Sequence, residues 1–340
     1  MVTDRRPGLS TKRLARLIRN SVSECELDLR GLHVLTEAAT GPYVVTPVIA
    51  ALAGAEVIAL TAESRYGSVE DVSAATRALA ESVGVTGRIT ITTERTPELF
   101  AKADIITNSG HVRPIVGEFA DAIRPDAVIP LMFETWEIRI GRVDVDLDDL
   151  LARGVRIGGT NERHPNVDIF SYLGPMAVAQ LGDAGISSYR GRIAVVCDNV
   201  FRDFLAQGLS RVGADVVAVS SASEILDRVR RPFDAILVAT TPMGQPAITG
   251  FELQQIADIW PDVVLVQYWG DLDRDACNTL GLNYWPLVSP GAGHMGVLPS
   301  RVGPEPVVRV QTGGLKVGQV LHKEPAARCA AELRYVDEEL

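Results

Sequence analysis

Along this chain, short runs of β-branched and aliphatic residues alternate with longer stretches whose apolar positions recur at helical spacing. In the first half, His33–Thr36, Val57–Thr61, Arg88–Thr92, Asp104–Thr107, Ala127–Leu131 and Val155–Ile157 read as strands. Between them, Val44–Ala53, Val69–Val83, Pro114–Ile123 and Leu147–Arg153 carry the period of helices. The second half repeats the scheme, with strands at Ile193–Cys197, Val216–Ser220, Ala235–Ala239, Val263–Gln267 and Asn283–Leu287. Short apolar strands separated by helices imply parallel sheets covered on both faces. Ahead of them, Ser10 or Thr11 caps a helix with Leu14, Leu17 and Ile18 on one face and Lys12, Arg13, Arg16 and Arg19 on the other. A basic stripe this short suits packing on its own domain or on a second subunit better than a membrane surface. The segment Asn166–Leu181 reads as a long helix joining the halves, and Pro325–Tyr335 as a last helix returning toward the first half.

The halves share more than a period. Gly54–Thr61 (GAEVIALT) returns as Gly213–Ser220 (GADVVAVS), and Pro125–Ile129 (PDAVI) as Pro261–Leu265 (PDVVL). The acidic Asp144-Val145-Asp146 followed by Gly154-Val155 returns as Asp271-Leu272-Asp273 followed by Gly281-Leu282. Three matches in one order imply two α/β halves on one plan. The expected fold is therefore two Rossmann-like parallel-sheet domains with an interdomain cleft. Residues 1–30 form a helical arm, 31–165 the first domain on the substrate side and 166–185 the connecting helix. Residues 186–290 form the second domain on the cofactor side, and 291–340 a cleft loop and C-terminal return.

Composition narrows the classes. A chain of 340 residues with 46% hydrophobic and 22% charged residues is an ordinary globular protein of about two domains. Its net charge of −10 argues against a nucleic-acid partner, which needs a basic face. Cys25, Cys197, Cys277 and Cys329 lie far apart, as reduced thiols of a cytoplasmic protein would, and the histidines show no metal-binding spacing. No apolar run is long enough to span a membrane, and no secretory signal is present. The expected partners are a small anionic substrate and a second copy of the chain, with no metal.

Ligands of open parallel sheets bind at the carboxyl ends of the strands, so differences between the copies there are informative. The first half has an extra helix and strand around Val69–Thr92, and nine extra residues at Met132–Arg142. That insertion gathers two acids, an indole and two guanidiniums. Glu134 or Glu137 can act as a general acid or base, Arg139 can hold a carboxylate or phosphate, and Trp136 can line the pocket. An exposed loop of mutually paired charges is the plainer reading. Loops at 108–114, 159–165 and 289–296 add His111, Arg113, His164 and His294, each a candidate for proton transfer or, for Arg113 and His164, for substrate binding.

A dinucleotide needs glycines where its pyrophosphate meets the first helix. The first half offers Thr36–Tyr43 with one glycine and with Glu37, which repels an anion. Glu63, after the second strand, stands where a ribose-binding carboxylate would, and acids after both strands also suit S-adenosylmethionine. The second half offers Cys197–Asp203 with no glycine; Asn199, Ser220, Ser221, Thr240 and Thr241 are its candidate cofactor contacts.

The segment Val143–Ile157, an acidic D-x-D turn opening a helix before a Gly-Val strand, resembles the formate/glycerate dehydrogenase-like superfamily, which includes D-2-hydroxyacid dehydrogenases and S-adenosylhomocysteine hydrolase. The resemblance implies a cofactor on the second domain and a late catalytic histidine, carried over here to His294. It identifies no counterparts for that family's catalytic Arg and Glu. The leading expectation is an NAD- or NADP-dependent oxidoreductase acting on a small anionic metabolite. The alternatives are a non-nicotinamide enzyme on the same scaffold, a methyltransferase using S-adenosylmethionine or a lyase-like biosynthetic enzyme, or a non-catalytic ligand-binding protein.

Overall fold

The computed structural model describes residues 6–64, 66–139, 144–228 and 231–340, with the side chains of Arg139 and Arg228 outside that description. Two compact units emerge, Met1–Ile169 with Gly303–Leu340, and Phe170–Val302. The first begins with α1 (Thr11–Glu24), whose Leu14, Ala15, Leu17 and Ile18 are buried within its own unit. Alternation follows through β1 (His33–Glu37), α2 (Val45–Leu52), β2 (Glu56–Leu60), α3 (Val69–Val83), β3 (Ile89–Thr92), α4 (Pro97–Lys102), β4 (Ile105–Ile106), α5 (Glu118–Ala122), β5 (Val128–Pro130), α6 (Trp136–Arg139), α7 (Leu147–Ala152) and β6 (Arg156–Thr160).

Local chemistry explains several boundaries. Ser68 caps α3 by accepting from the Asp71 N–H, Glu70 and Asp71 favour the positive helix end, and Gly84 ends the helix at φ 82°. The extra strand and helix expected in the first half are β3 and α3. The helix expected from Pro114 starts instead at Glu118. Ile115 exchanges backbone hydrogen bonds with Asp144 and Asp146, which holds residues 114–117 extended.

The second unit runs α8 (Leu173–Asp183), β7 (Arg192–Val196), α9 (Phe201–Arg211), β8 (Asp215–Val219), α10 (Ala222–Arg228), β9 (Ala235–Ala239), α11 (Gly250–Ile259), β10 (Val264–Trp269), α12 (Arg274–Leu280) and β11 (Asn283–Trp285). Its five parallel strands take the order β11-β10-β9-β7-β8. The segment read as one helix from Asn166 becomes helical only after Phe170–Tyr172. Before it, the His164 carbonyl accepts from the Val167 and Asp168 N–H groups, and Asp168 has φ 46°. Gly174 on α8 and Gly208 on α9 meet where a Cβ on Gly174 would lie 2.6 Å from the Gly208 Cα.

The chain then returns to the first unit as α13 (Glu305–His322), followed by α14 (Ala330–Leu333) and β12 (Val336–Glu339). The returning helix is thus α13, and Pro325–Tyr335, expected to be helical, holds only short turns. Almost every residue of α13 from Pro306 to Leu321 is buried, against α1, α2, β4, β5 and β6. Gly313, Gly314 and Gly318 allow that approach: Cβ atoms there would collide with Val167, Met132 and Ile105 respectively. Among the described residues the first sheet has the order β12-β6-β5-β4-β1-β2-β3, parallel except for the antiparallel edge strand β12. Helices α1, α2, α3 and α13 cover one face, and α4, α5 and α7 the other. Among the described residues no helix is long and apolar enough to cross a membrane.

Candidate functional site

In the first sheet the strand order turns back between β1 and β4, which makes their carboxyl ends the favoured place for a ligand. Glu37 is the last residue of β1. Its carboxyl lies against Gly110 in the loop after β4, where any Cβ would overlap it, and it accepts a hydrogen bond from the His111 N–H. Burial pushes the Glu37 pKa up to about 7, with the Arg113 charge and the His111 N–H only partly opposing. Tyr43, on the short turn entering α2, is raised to about 12 by burial, with the charges of Glu37 and Tyr66 adding to the effect.

The surrounding loops are held by their own polar groups. Thr40 Oγ1 donates to the Tyr66 carbonyl at 3.1 Å, and Thr107 Oγ1 donates to Thr36 Oγ1 at 2.9 Å while pairing with Ser109 Oγ at 2.8 Å. Behind the His111–Arg113 segment, Arg95 donates to the Val112 and Pro114 carbonyls and lies 3.5 Å over the Phe119 ring. Arg113 is exposed and pairs with Asp144, Nε to Oδ2, at 3.3 Å. Two cavities in this unit lie elsewhere, one lined by α1 and α13 and one beside β3. Glu37 is therefore singled out by topology and chemistry rather than by cavity size.

The insertion after β5 forms a different assembly. The Glu134 carboxylate, 2% exposed, accepts from Trp136 Nε1 at 2.8 Å, Arg163 Nη2 at 3.4 Å and the Glu162 N–H. Burial raises its pKa against those three partners, and the nearby Asp337 raises it further. Thr135 donates through its N–H and hydroxyl to Asp337 at 3.0 and 2.7 Å, tying the insertion to β12. His164 accepts at Nδ1 from the Asn166 N–H at 3.2 Å and stacks on Tyr335 at 3.7 Å; burial lowers its pKa. Glu134, Trp136 and His164 thus join the β5 and β6 ends to the C-terminal strand. Glu137 is half-buried and donates its N–H to the Glu134 carbonyl at 3.1 Å. The Arg139 side chain, with Ile140, Gly141 and Arg142, lies outside the described residues.

The remaining candidates belong to the second unit. His294 is exposed, beside Gly293, whose N–H donates to Asp271 Oδ1 at 3.0 Å and whose carbonyl accepts from the buried Trp269. The strand order there turns back between β7 and β9. At that point Asn199 donates to the Ala239 carbonyl at 2.9 Å, and its Oδ1 accepts from the Phe201 N–H at 3.0 Å. Asp198 Oδ1 accepts from the Thr241 N–H at 2.8 Å and from the Thr241 hydroxyl at 3.1 Å. Thr240 is buried against Gly270, with no hydrogen-bond partner for its Oγ1. At the end of β8, Ser220 Oγ accepts from Arg202 at 2.7 Å, and Ser221 and Ser223 hydroxyls pair at 2.8 Å.

Three solved structures share this architecture. A dipicolinate synthase from Bacillus halodurans superposes with a TM-score of 0.55 at 13% identity, covering 88% of this chain and 100% of that one. The dipicolinate synthase from Bacillus subtilis gives a TM-score of 0.51 at 12% identity, over 87% and 97% of the two chains. The resemblance read from the sequence holds at the level of fold. The pyruvate reductase of Chlamydomonas reinhardtii also matches, with a TM-score of 0.51 at 14% identity over 90% of this chain and 99% of that one. No protein-family model matches the chain, and no curated protein matches its sequence.

The resemblance implies a dinucleotide on the second unit, and the residues there do not fit one in the ordinary way. The backbone donor at the start of α9 is taken by Asn199, no glycine opens the turn, and the Asp198 carboxylate stands where pyrophosphate charge would arrive. Arg202 is turned toward Ser220 instead of Asp198. The residue that sequence reasoning undervalued is Glu37, read only as a repulsive charge. Its position at a strand terminus was visible, but which strand lies beside β1 was not.

Proposed function

We propose that this chain is an enzyme of small-molecule metabolism that moves a proton at the strand ends of its first unit, with Glu37 as the acid–base group. The observation that carries this reading is a carboxyl at the turn-back point of the sheet, buried until its pKa sits at about 7. A group so poised is present in both forms at neutral pH and can give or take a proton with little driving force lost. Tyr43 supplies a neutral hydroxyl beside it, and the His111 N–H steadies the carboxylate once the proton has left. Arg113 lies near enough to temper Glu37, and it reaches a substrate carboxylate only by leaving Asp144.

On this reading the enzyme does not hold a nicotinamide in the ordinary place on the second unit. Titration of Glu37 by carboxyl-carbon NMR tests the assignment directly: a midpoint near 7 supports it, and one at the ordinary glutamate value removes it. NAD, NADP and S-adenosylmethionine at millimolar concentration should then be compared for their effect on Tm, because a ligand of the native state raises it.

The NADP-dependent oxidoreductase reading keeps one specific support. Arg202 with Ser220, Ser221 and Ser223 gathers a cation and hydroxyls at the end of β8, a chemistry suited to a ribose phosphate. A rise in Tm with NADP that disappears in Arg202→Ala would favour it.

A further inference from the structure

We infer that the ligand at Glu37 carries a positively charged group, an ammonium or a sulfonium, that seats against the Glu37 carboxylate beside the Tyr43 and Tyr66 side chains. The inference rests on the proposed role of Glu37 and adds the class of substrate to it. A carboxylate offers about four lone-pair sites, yet Glu37 receives a single backbone hydrogen bond, from His111. Among the described residues no Lys or Arg side chain hydrogen-bonds it. Arg113 acts only through space, its guanidinium being paired with Asp144. A buried carboxyl without its cation stays protonated, and one whose cation arrives with the ligand ionises on binding.

The walls fit a cation better than an anion. Tyr43 stands close enough to Glu37 and Tyr66 to feel both, and Tyr66 is 65% exposed at the tip of the β2–α3 loop. Tyrosine rings and hydroxyl oxygens attract an onium group. The Gly110 turn leaves room for the carboxyl and adds no side chain of its own. The Thr107–Thr36–Ser109 hydroxyls are already spent on one another, so an anion would find few donors here. The titratable and charged groups that face Glu37 are therefore Tyr43 and Tyr66 from one side and His111 and Arg113 from the other.

The test uses the full chain and follows the Glu37 carboxyl carbon by NMR, with Glu37→Gln to assign the signal. Methylammonium chloride and trimethylsulfonium chloride are the probes, against sodium chloride and sodium acetate at equal ionic strength. The onium salts should lower the Glu37 midpoint by roughly one pH unit where the sodium salts leave it in place, and the larger of the two shifts tells ammonium from sulfonium. Tyr43→Leu should weaken the onium effect about threefold. A midpoint near 7 that no onium salt moves, or that sodium chloride moves equally, overturns the cation inference alone. A midpoint at the ordinary glutamate value overturns the acid–base role instead.

Discussion

Gly110 lacks a side chain at the point where the Glu37 carboxyl comes to rest, and a Cβ at position 110 would occupy the place of Glu37 Oε2. The backbone there also has φ 38°, a region that side chains disfavour. Gly110→Ala should therefore cost about 2 kcal/mol or more, read from urea denaturation. Adding Glu37→Ser should recover the steric part of that loss and leave the backbone part. Equal losses in the single and double variants would mean that the two residues do not meet.

Glu37 also makes a claim about pH. Its folded pKa of about 7 lies above the ordinary 4.5, so the native state keeps a proton that the unfolded chain releases. Stability should fall as pH rises from about 4.5 to about 7 and level off beyond. The full effect is roughly 3 kcal/mol. Glu37→Gln should flatten this slope and be the more stable protein at pH 8, as measured by denaturation at both ends of the window.

Glu134 should behave as a structural acid. Its removal in Glu134→Ala leaves Trp136 Nε1, Arg163 and the Glu162 N–H without their acceptor. A loss of about 2 kcal/mol is expected, moderated by the exposure of Arg163. Glu134→Gln should keep most of the stability and, once an assay exists, most of the activity. A stable but inactive Glu134→Gln would return the insertion to the chemistry.

The α8–α9 crossing offers a control within the second unit. Alanine normally favours a helix over glycine, but at Gly174 its methyl would lie 2.6 Å from the Gly208 Cα. Gly174→Ala should lower the stability of the second unit by about 3 kcal/mol, seen as a drop in Tm. A neutral or stabilising result would mean that the helices separate easily.

How much of this was legible depended on where the determining information lies. Strands such as Ala235–Ala239 and the helix Val69–Val83 are set by local period and capping, and the sequence reading meets the structure there. The helix Glu305–His322 was missed because Gly313, Gly314 and Gly318 read as loop by propensity. In the fold the same glycines are what let the helix lie close to the sheet. Strand β12 was missed because Val-Asp-Glu-Glu has no strand pattern of its own and is drawn into the sheet by the free edge of β6. Comparison of the two copies drew attention to Glu134 and Trp136, since an insertion is conspicuous in sequence. Glu37 needed the spatial order of strands, which follows from long-range pairing that no local pattern encodes.

The late position of α13 has a consequence for how the protein is made. A helix drawn from residues 305–322 fills the middle of a core whose other walls come from the first 169 residues. During synthesis the opening lobe must wait, with its apolar face uncovered, while the whole intervening lobe leaves the ribosome. The second lobe is therefore free to finish first, and a chain cut short before Glu305 would keep every residue around Glu37 yet lack the segment that seals them in.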